Sequence, residues 1–166
     1  MPAVAVGNVG QLAVDLVVST LNLSRVSYLH TGCLNPMAGN NPYNSCKKDG
    51  EGLHCPAEVF TAAERKLAVL QIRVPIIQKK SKKFRQMLIS WIKSSGFSRT
   101  VVLSSSHAYQ RDDQQLHETP LSCLAEDLPL AVLLLFCSEG DNIPDAFALV
   151  NHLNDWLHLL DTLGSE

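Results

Sequence analysis

No apolar run in this sequence is long enough to cross a membrane, because the longest, residues 130–137, has eight residues where about 20 are needed. Charged residues are scarce at 18%, and nine glycines and eight prolines are too few for a collagen-like or low-complexity chain. Hydrophobic residues make up 46% of the chain, which is too apolar for a disordered one. At 166 residues we therefore expect one folded domain over residues 1–166, without a membrane partner.

The sequence also lacks a strong net charge, a secretion signal and paired cysteines. A net charge of −2 excludes the basic excess of a dedicated nucleic-acid binder, so no nucleic-acid partner is expected. No basic residues precede the first apolar stretch, and the five cysteines form an odd set without a Cys-x-x-Cys pair. Reduced thiols in the cytoplasm or nucleus are the expected state. The spacing of Cys46, His54 and Cys55 disfavours a zinc site, so no metal is expected.

The apolar patterns predict an α/β fold. Helical spacing marks residues 10–23, 84–92 and 141–160, and Gly96 stands where a left-handed helix cap belongs. Strand-like runs cover residues 3–6, 25–29, 58–60, 66–74, 100–103 and 130–137, and the third and fourth of these are joined by a short hairpin connection. The order of strands and helices favours a three-layer sandwich, in which helices cover both faces of a mostly parallel mixed sheet.

Two segments at strand ends are candidates for a functional site, one for phosphate binding and one for hydrolysis, but the motif of each is incomplete. Residues 7–10 lead into a helix, where backbone N–H groups can hold a phosphate, but the dinucleotide fingerprint and the Walker lysine are missing. Ser106 and His107 follow a strand, and Asp112 or Asp113 would complete a hydrolase triad. No Gly-x-Ser-x-Gly elbow surrounds the serine, and adjacent strand residues point in different directions. The residues alone therefore predict no catalytic site and no cofactor, and a small α/β hydrolase or a phosphate-binding protein is the alternative.

Charged clusters provide the candidate partner-binding residues. Five of the 14 basic residues lie within seven positions, at Lys79, Lys80, Lys82, Lys83 and Arg85. Basic residues at a helix start oppose the helix dipole, so a docking patch for an acidic protein surface is weighed against a solvated turn. On charge and expected exposure we add Tyr109, Arg111, Asp141 and Asn142.

Five stretches of the sequence resemble the proteasome assembly chaperone family. They are PAVAVGNVGQLA (residues 2–13), NNPY (40–43), SSG (94–96), VLSSSHAYQR (102–111) and SEGDNIPDA (138–146). The resemblance extends over most of residues 2–118 and 131–158, in the same order. The family fold is a phosphorylase- and hydrolase-like α/β sandwich without the chemistry of those enzymes. The resemblance therefore implies that this chain is not an enzyme.

The resemblance also implies a mechanism based on binding alone. Family members pair with proteasome assembly chaperone 1, and the heterodimer binds alpha subunits of the 20S proteasome. It promotes assembly of the alpha ring, prevents off-pathway ring dimerisation and needs no cofactor. The implied location is the cytoplasm and nucleus, which agrees with the reduced thiols.

The sequence departs from the family pattern in three places. Family members carry residues before Met1 that complete the first strand, several dozen further residues near residues 120–130, and a C-terminal tail beyond Glu166 that can help to dock on the proteasome. We therefore expect an incomplete sheet, with exposed edges near residues 100–102 and 130–137. An inactive truncated product is kept as a further alternative.

Overall fold

The computed structural model describes residues 6–37, 39, 55–107, 128–138 and 140–159. This part of the chain contains, in order, α1 (Val9–Thr20), β1 (Ser24–Tyr28), β2 (Ala57–Ala62), β3 (Leu67–Ile72), α2 (Ser81–Ser95), β4 (Thr100–His107), β5 (Leu130–Cys137) and α3 (Ile143–Leu157). Single 3-10 turns precede α1 and follow β2. No helix among these residues is long and apolar enough to cross a membrane.

The strands form two sheets. β1, β2 and β3 make an antiparallel sheet with β2 at its centre, and β4 and β5 make a parallel pair in which Thr100 aligns with Leu130. The predicted α/β class is confirmed. The prediction of a mostly parallel sheet is wrong for the described strands, because two of their three pairings are antiparallel. One reason is the short connection between β2 and β3, which is too short to carry a parallel crossover.

Helices cover both faces of the antiparallel sheet, because side chains alternate along its strands. Val59 and Leu70 are paired across β2 and β3 and face the buried side of α2. The adjacent pair, Phe60 and Val69, faces the opposite way and belongs to the core formed with α1 and α3. The sandwich arrangement of the whole chain stays a prediction.

The parallel pair has one covered face and one partly open face. Leu103 and Cys137 are buried in the core formed with α1 and α3. On the other face, Val132 and Leu134 of β5 are 45% and 38% exposed. Part of the apolar surface of β5 is therefore in contact with solvent.

A buried polar network fixes α1 and β1 on the antiparallel sheet. Gln71 of β3 is 1% exposed, and its Nε2 donates a hydrogen bond of 2.6 Å to Oδ1 of Asp15 on α1. Nη1 of Arg73 lies 2.9 Å from Oδ2 of the same carboxylate. Glu58, directly opposite Gln71 on β2, is fully buried and accepts a 2.9 Å hydrogen bond from Nη1 of Arg25 on β1. Because buried charges need partners, these contacts determine where α1 and β1 lie.

Sequence and structure agree best where the apolar pattern is continuous. The predicted strand at residues 130–137 coincides with β5, and Gly96 ends α2 in the left-handed conformation, with φ 67°. β4 is longer than expected, because the polar residues 104–107 continue the strand instead of following it. The predicted strand at residues 3–6 and the shortened segment near residues 120–130 lie mostly outside the described residues.

Candidate protein-interaction surfaces

The predicted basic cluster lies on the exposed side of α2 and on the turn before it. Phe84, Leu88 and Ile92 are buried at helical spacing, which turns the residues between them toward solvent. All five predicted cations are exposed. We call four of them, Lys79, Lys82, Lys83 and Arg85, the α2 basic face. The structure thus places all five predicted cations at the protein surface.

The fifth cation, Lys80, has a structural contact. Its Nζ donates a 2.7 Å hydrogen bond to the carbonyl of Gly32. Its backbone N–H bonds to the carbonyl of Ile77 at 3.0 Å, and the N–H of Ile77 in turn bonds to the carbonyl of Cys33 at 2.8 Å. Lys80 therefore helps to fix the turn that carries the α2 basic face.

α2 begins without the usual stabilisation of a helix start. Lys80 at the N-cap makes no side-chain cap hydrogen bond, and the first turn contains no acidic residue. Each cation near a helix N-terminus is unfavourable by about 0.3–1 kcal/mol. The α2 basic face therefore lowers the stability of the helix that carries it, and folding alone does not explain it.

Charge is segregated along the chain, a feature that a search for short motifs misses. Residues 65–111 contain 11 of the 14 Lys and Arg residues and no Asp or Glu. Residues 112–166 contain 11 of the 16 Asp and Glu residues and no Lys or Arg. The opposite charges of the two blocks nearly cancel in the net charge of −2. The segregation becomes visible only when charge is counted separately for each segment.

The helices of the two blocks lie in different layers, although β4 and β5 of the same blocks pair with each other. α2, with four basic and no acidic residues, packs on the sheet face that carries Val59 and Leu70. α3, with two acidic residues and no Lys or Arg, packs with α1 on the side of Phe60 and Val69. The basic and acidic surfaces therefore face different sides of the protein.

The start of α3 combines acidic and apolar groups. Oδ1 of Asp141 accepts a 3.2 Å hydrogen bond from the backbone N–H of Ile143. Ile143 and Phe147 are 56% and 52% exposed and stand one helical turn apart. Neighbouring exposed apolar side chains with a polar rim are typical of contact surfaces. Asp141 therefore borders a small apolar patch.

Asn142, unlike Asp141, lies inside the protein. It is 8% exposed, and its Nδ2 donates a 3.0 Å hydrogen bond to the carbonyl of Gly140. A Cβ atom on Gly7 would lie 2.0 Å from that nitrogen, so glycine is needed at this position, where φ is 59°. A partner could reach the Asn142 side chain only if its packing against Gly7 opened. The other two predicted residues, Tyr109 and Arg111, lie outside the described residues.

The residues of the hydrolase alternative are not brought together in the described part of the chain. Oγ of Ser105 donates a 2.7 Å hydrogen bond to the carbonyl of Val6, next to the glycine turn of residues 7–10. Ser106 and His107 both lie on β4, where successive side chains point to opposite faces. Their predicted partners, Asp112 and Asp113, lie outside the described residues.

An apolar cavity of about 240 Å³ lies between β3, α2, β4 and α3. Trp91 lines it and meets the ring of Phe97 edge-on, with 5.5 Å between the ring centroids. Arg99 also lines the cavity, and its Cζ lies 5.2 Å from the ring centroid of Trp156.

No group of His, Cys, Asp and Glu among the described residues is arranged to hold a metal ion. Cys46 and His54, whose spacing disfavours a zinc site, lie outside that part of the chain.

The geometry defines a mixed α/β domain with a basic helical face on one side and an acidic, partly apolar one on another. A model of the PAC2 family matches residues 1–152, and the chain belongs to this family. Proteasome assembly chaperone 2 from Danio rerio is 53% identical, in an alignment that covers 99% of this chain and 85% of the relative. The Homo sapiens protein of the same name is 42% identical, with 100% and 83% covered. The resemblance found in the sequence is confirmed.

Solved structures agree on the fold. Pyrococcus furiosus PbaA, described as an archaeal homolog of proteasome-assembly chaperone, superposes with a TM-score of 0.72 at 14% identity and covers 96% of this chain and 76% of its own. A Thermoplasma acidophilum protein of unknown function superposes with a TM-score of 0.73 at 16% identity, with 93% and 72% covered. At these identities the likeness concerns the fold alone.

The Danio rerio alignment also shows a difference in length. It extends over 220 positions, so at least 54 of them have no counterpart in this chain of 166 residues. The expectation that the difference falls near residues 120–130 stays a prediction.

Proposed function

We propose that the chain is a non-catalytic subunit of a proteasome assembly chaperone. As a heterodimer with proteasome assembly chaperone 1, it binds alpha subunits of the 20S proteasome, promotes assembly of the alpha ring and prevents off-pathway ring dimerisation. The observation that carries the proposal is the 53% identity, over 99% of this chain, to a relative named proteasome assembly chaperone 2.

The surface chemistry supports a mechanism based on binding. An incomplete ring exposes apolar and charged surfaces that can pair with the wrong neighbour, and a protein that covers them lowers the population of those contacts. The α2 basic face and the exposed Ile143 and Phe147 offer charged and apolar contact area. Binding free energy alone drives such a cycle, so we propose no cofactor. We propose the cytoplasm and nucleus as the site of action.

Co-expression with proteasome assembly chaperone 1 of the same organism tests the proposal. We expect a stable one-to-one complex on size-exclusion chromatography, and we expect it to retain purified 20S alpha subunits in an affinity-capture assay. Circular dichroism of the same sample verifies that the chain is folded. A folded chain that retains neither chaperone 1 nor any alpha subunit would contradict the proposal and favour an inactive product.

An activity assay separates the chaperone from the hydrolase alternative. Wild-type protein and the Ser106→Ala variant are compared on p-nitrophenyl acetate and p-nitrophenyl phosphate. We expect equal background rates for both proteins, because Ser106 and His107 point to opposite faces of β4. A wild-type rate well above background that falls in the variant would contradict a non-catalytic function.

A further inference from the structure

The distribution of charge in this fold points to a particular kind of partner surface. We propose that the α2 basic face docks on an acidic protein surface, one that presents several Asp and Glu side chains. The inference rests on the proposed function, because it specifies how a proteasome-related partner is recognised. Two observations carry it: the cations are exposed and form no ion pair with any described residue, and their positions are fixed by the fold.

The cations of the α2 basic face have no acidic partner in the described part of the chain. The salt bridges formed there by Arg25 and Arg73 use Glu58 and Asp15, which lie on other elements. Residues 65–111 contain no Asp or Glu, so no acid near in sequence can neutralise α2. Charge complementarity with a partner would supply the missing counter-charge.

The fold holds the α2 basic face in place. The Nζ of Lys80 is tied to the carbonyl of Gly32, and the backbone of the preceding turn is tied to Cys33. On the other side of the helix, Phe84 and Leu88 are anchored in the core. A rigid helix presents its charges in one arrangement, which reduces the ordering that binding requires.

The remaining exposed residues of α2 favour a protein over a nucleic acid or a membrane. Among the cations lie Ser81, Gln86 and Ser90, which are exposed and polar. Single-stranded nucleic acids are bound by exposed aromatic side chains between cations, and membrane-surface helices insert an apolar face. The apolar side of α2 is buried in the core, through residues such as Phe84 and Leu88. The exposed side of α2 therefore offers cations and polar groups, which can pair at short range with the carboxylates of an acidic protein.

The test compares two variants with the same change in net charge. Lys82→Gln/Lys83→Gln removes two of the four positive charges of the α2 basic face, whereas Asn151→Glu/His152→Glu adds two negative charges to the exposed side of α3. Affinity is measured by biolayer interferometry for chaperone 1 and for purified 20S alpha subunits, at low and high salt. Poly-L-glutamate serves as a probe that does not depend on the proposed function.

We expect the α2 variant to bind at least one of the two partners, and poly-L-glutamate, about tenfold more weakly than wild type at low salt. High salt should reduce that difference, and the α3 variant should stay within about twofold of wild type for poly-L-glutamate. Thermal melts should show that both variants are folded. Because the replaced lysines oppose the helix dipole, the α2 variant should melt no lower than wild type.

Two results would overturn the proposal. One is an α2 variant that binds both partners and poly-L-glutamate as wild type does. The other is a wild-type protein that binds random-sequence DNA or phosphatidylserine vesicles more tightly than poly-L-glutamate through the same lysines. The two proposals can also be separated. If the α2 variant binds poly-L-glutamate more weakly than wild type does, the docking surface is supported. If the wild type at the same time binds neither chaperone 1 nor alpha subunits, the proposed function is contradicted.

Discussion

The ion pair between Arg25 and Glu58 allows a quantitative test of what holds β1 on the sheet. The Glu58 side chain is 1% exposed, and Nη1 of Arg25 lies 2.9 Å from its Oε1. The same oxygen accepts a longer, 3.3 Å hydrogen bond from the backbone N–H of Cys55. Removal of the guanidinium leaves a buried carboxylate with weaker compensation, a loss that costs about 3–5 kcal/mol in buried pairs. We expect about 3 kcal/mol for Arg25→Ala, because the Arg25 side chain is 26% exposed and water can reach the site.

Equilibrium unfolding in urea, followed by circular dichroism, measures this loss. The matched control is the double variant Arg25→Met/Glu58→Leu, in which no charge is left buried. Replacing both partners by apolar residues of similar size should recover at least half of the lost stability. A loss below about 1 kcal/mol for the single variant, or a double variant less stable than Arg25→Ala, would refute the reasoning that Glu58 needs this partner.

Two further predictions concern close contacts and strand stability. Gly7→Ala should lower the free energy of unfolding by about 2 kcal/mol, because its Cβ would meet the Asn142 side chain at 2.0 Å and its φ is 59°. The control is Gly96→Ala, where φ is 67° and no atom lies within 4 Å of the new Cβ, so that it carries similar backbone strain without the contact; an equal loss in both variants would contradict the contact argument. In hydrogen exchange followed by mass spectrometry, residues 130–137 should exchange faster than residues 57–62, because the side chains of β5 are partly exposed and β2 is the buried central strand of its sheet. Equal protection of the two strands would refute this.

The sequence predicted elements better than their pairing. A continuous apolar run such as residues 130–137 can be read locally, and β5 matches it from end to end. The end of β4 could not be read in this way, because Ser104 and Ser105 look like loop residues until the fold buries them. Strand direction in a sheet depends on contacts between distant segments, such as Ser24 with Thr61 across β1 and β2. No local pattern contains that information.

The candidate surfaces were predicted in part for the same reason. The lysine-rich start of α2 is a local feature, and the structure places it on the surface. The burial of Asn142 was missed because it depends on Gly7, which is 135 positions away in the sequence. The charge blocks of residues 65–111 and 112–166 are visible in the sequence, but only the fold shows that α2 and α3 lie in different layers.

Two groups of charges among the described residues have different physical roles. Those that the fold uses are paired and at least partly buried, as in the contacts of Glu58 with Arg25 and of Asp15 with Arg73. Those on the α2 basic face are exposed, unneutralised within the described residues, and placed where they weaken their own helix. Changes to the first group should therefore alter stability while the free surface stays the same, and changes to the second should alter association while stability is kept. Since exposed charges act mainly on the rate of association and buried pairs on folding, the two groups can be separated by comparing association rates with unfolding free energies in the same variants.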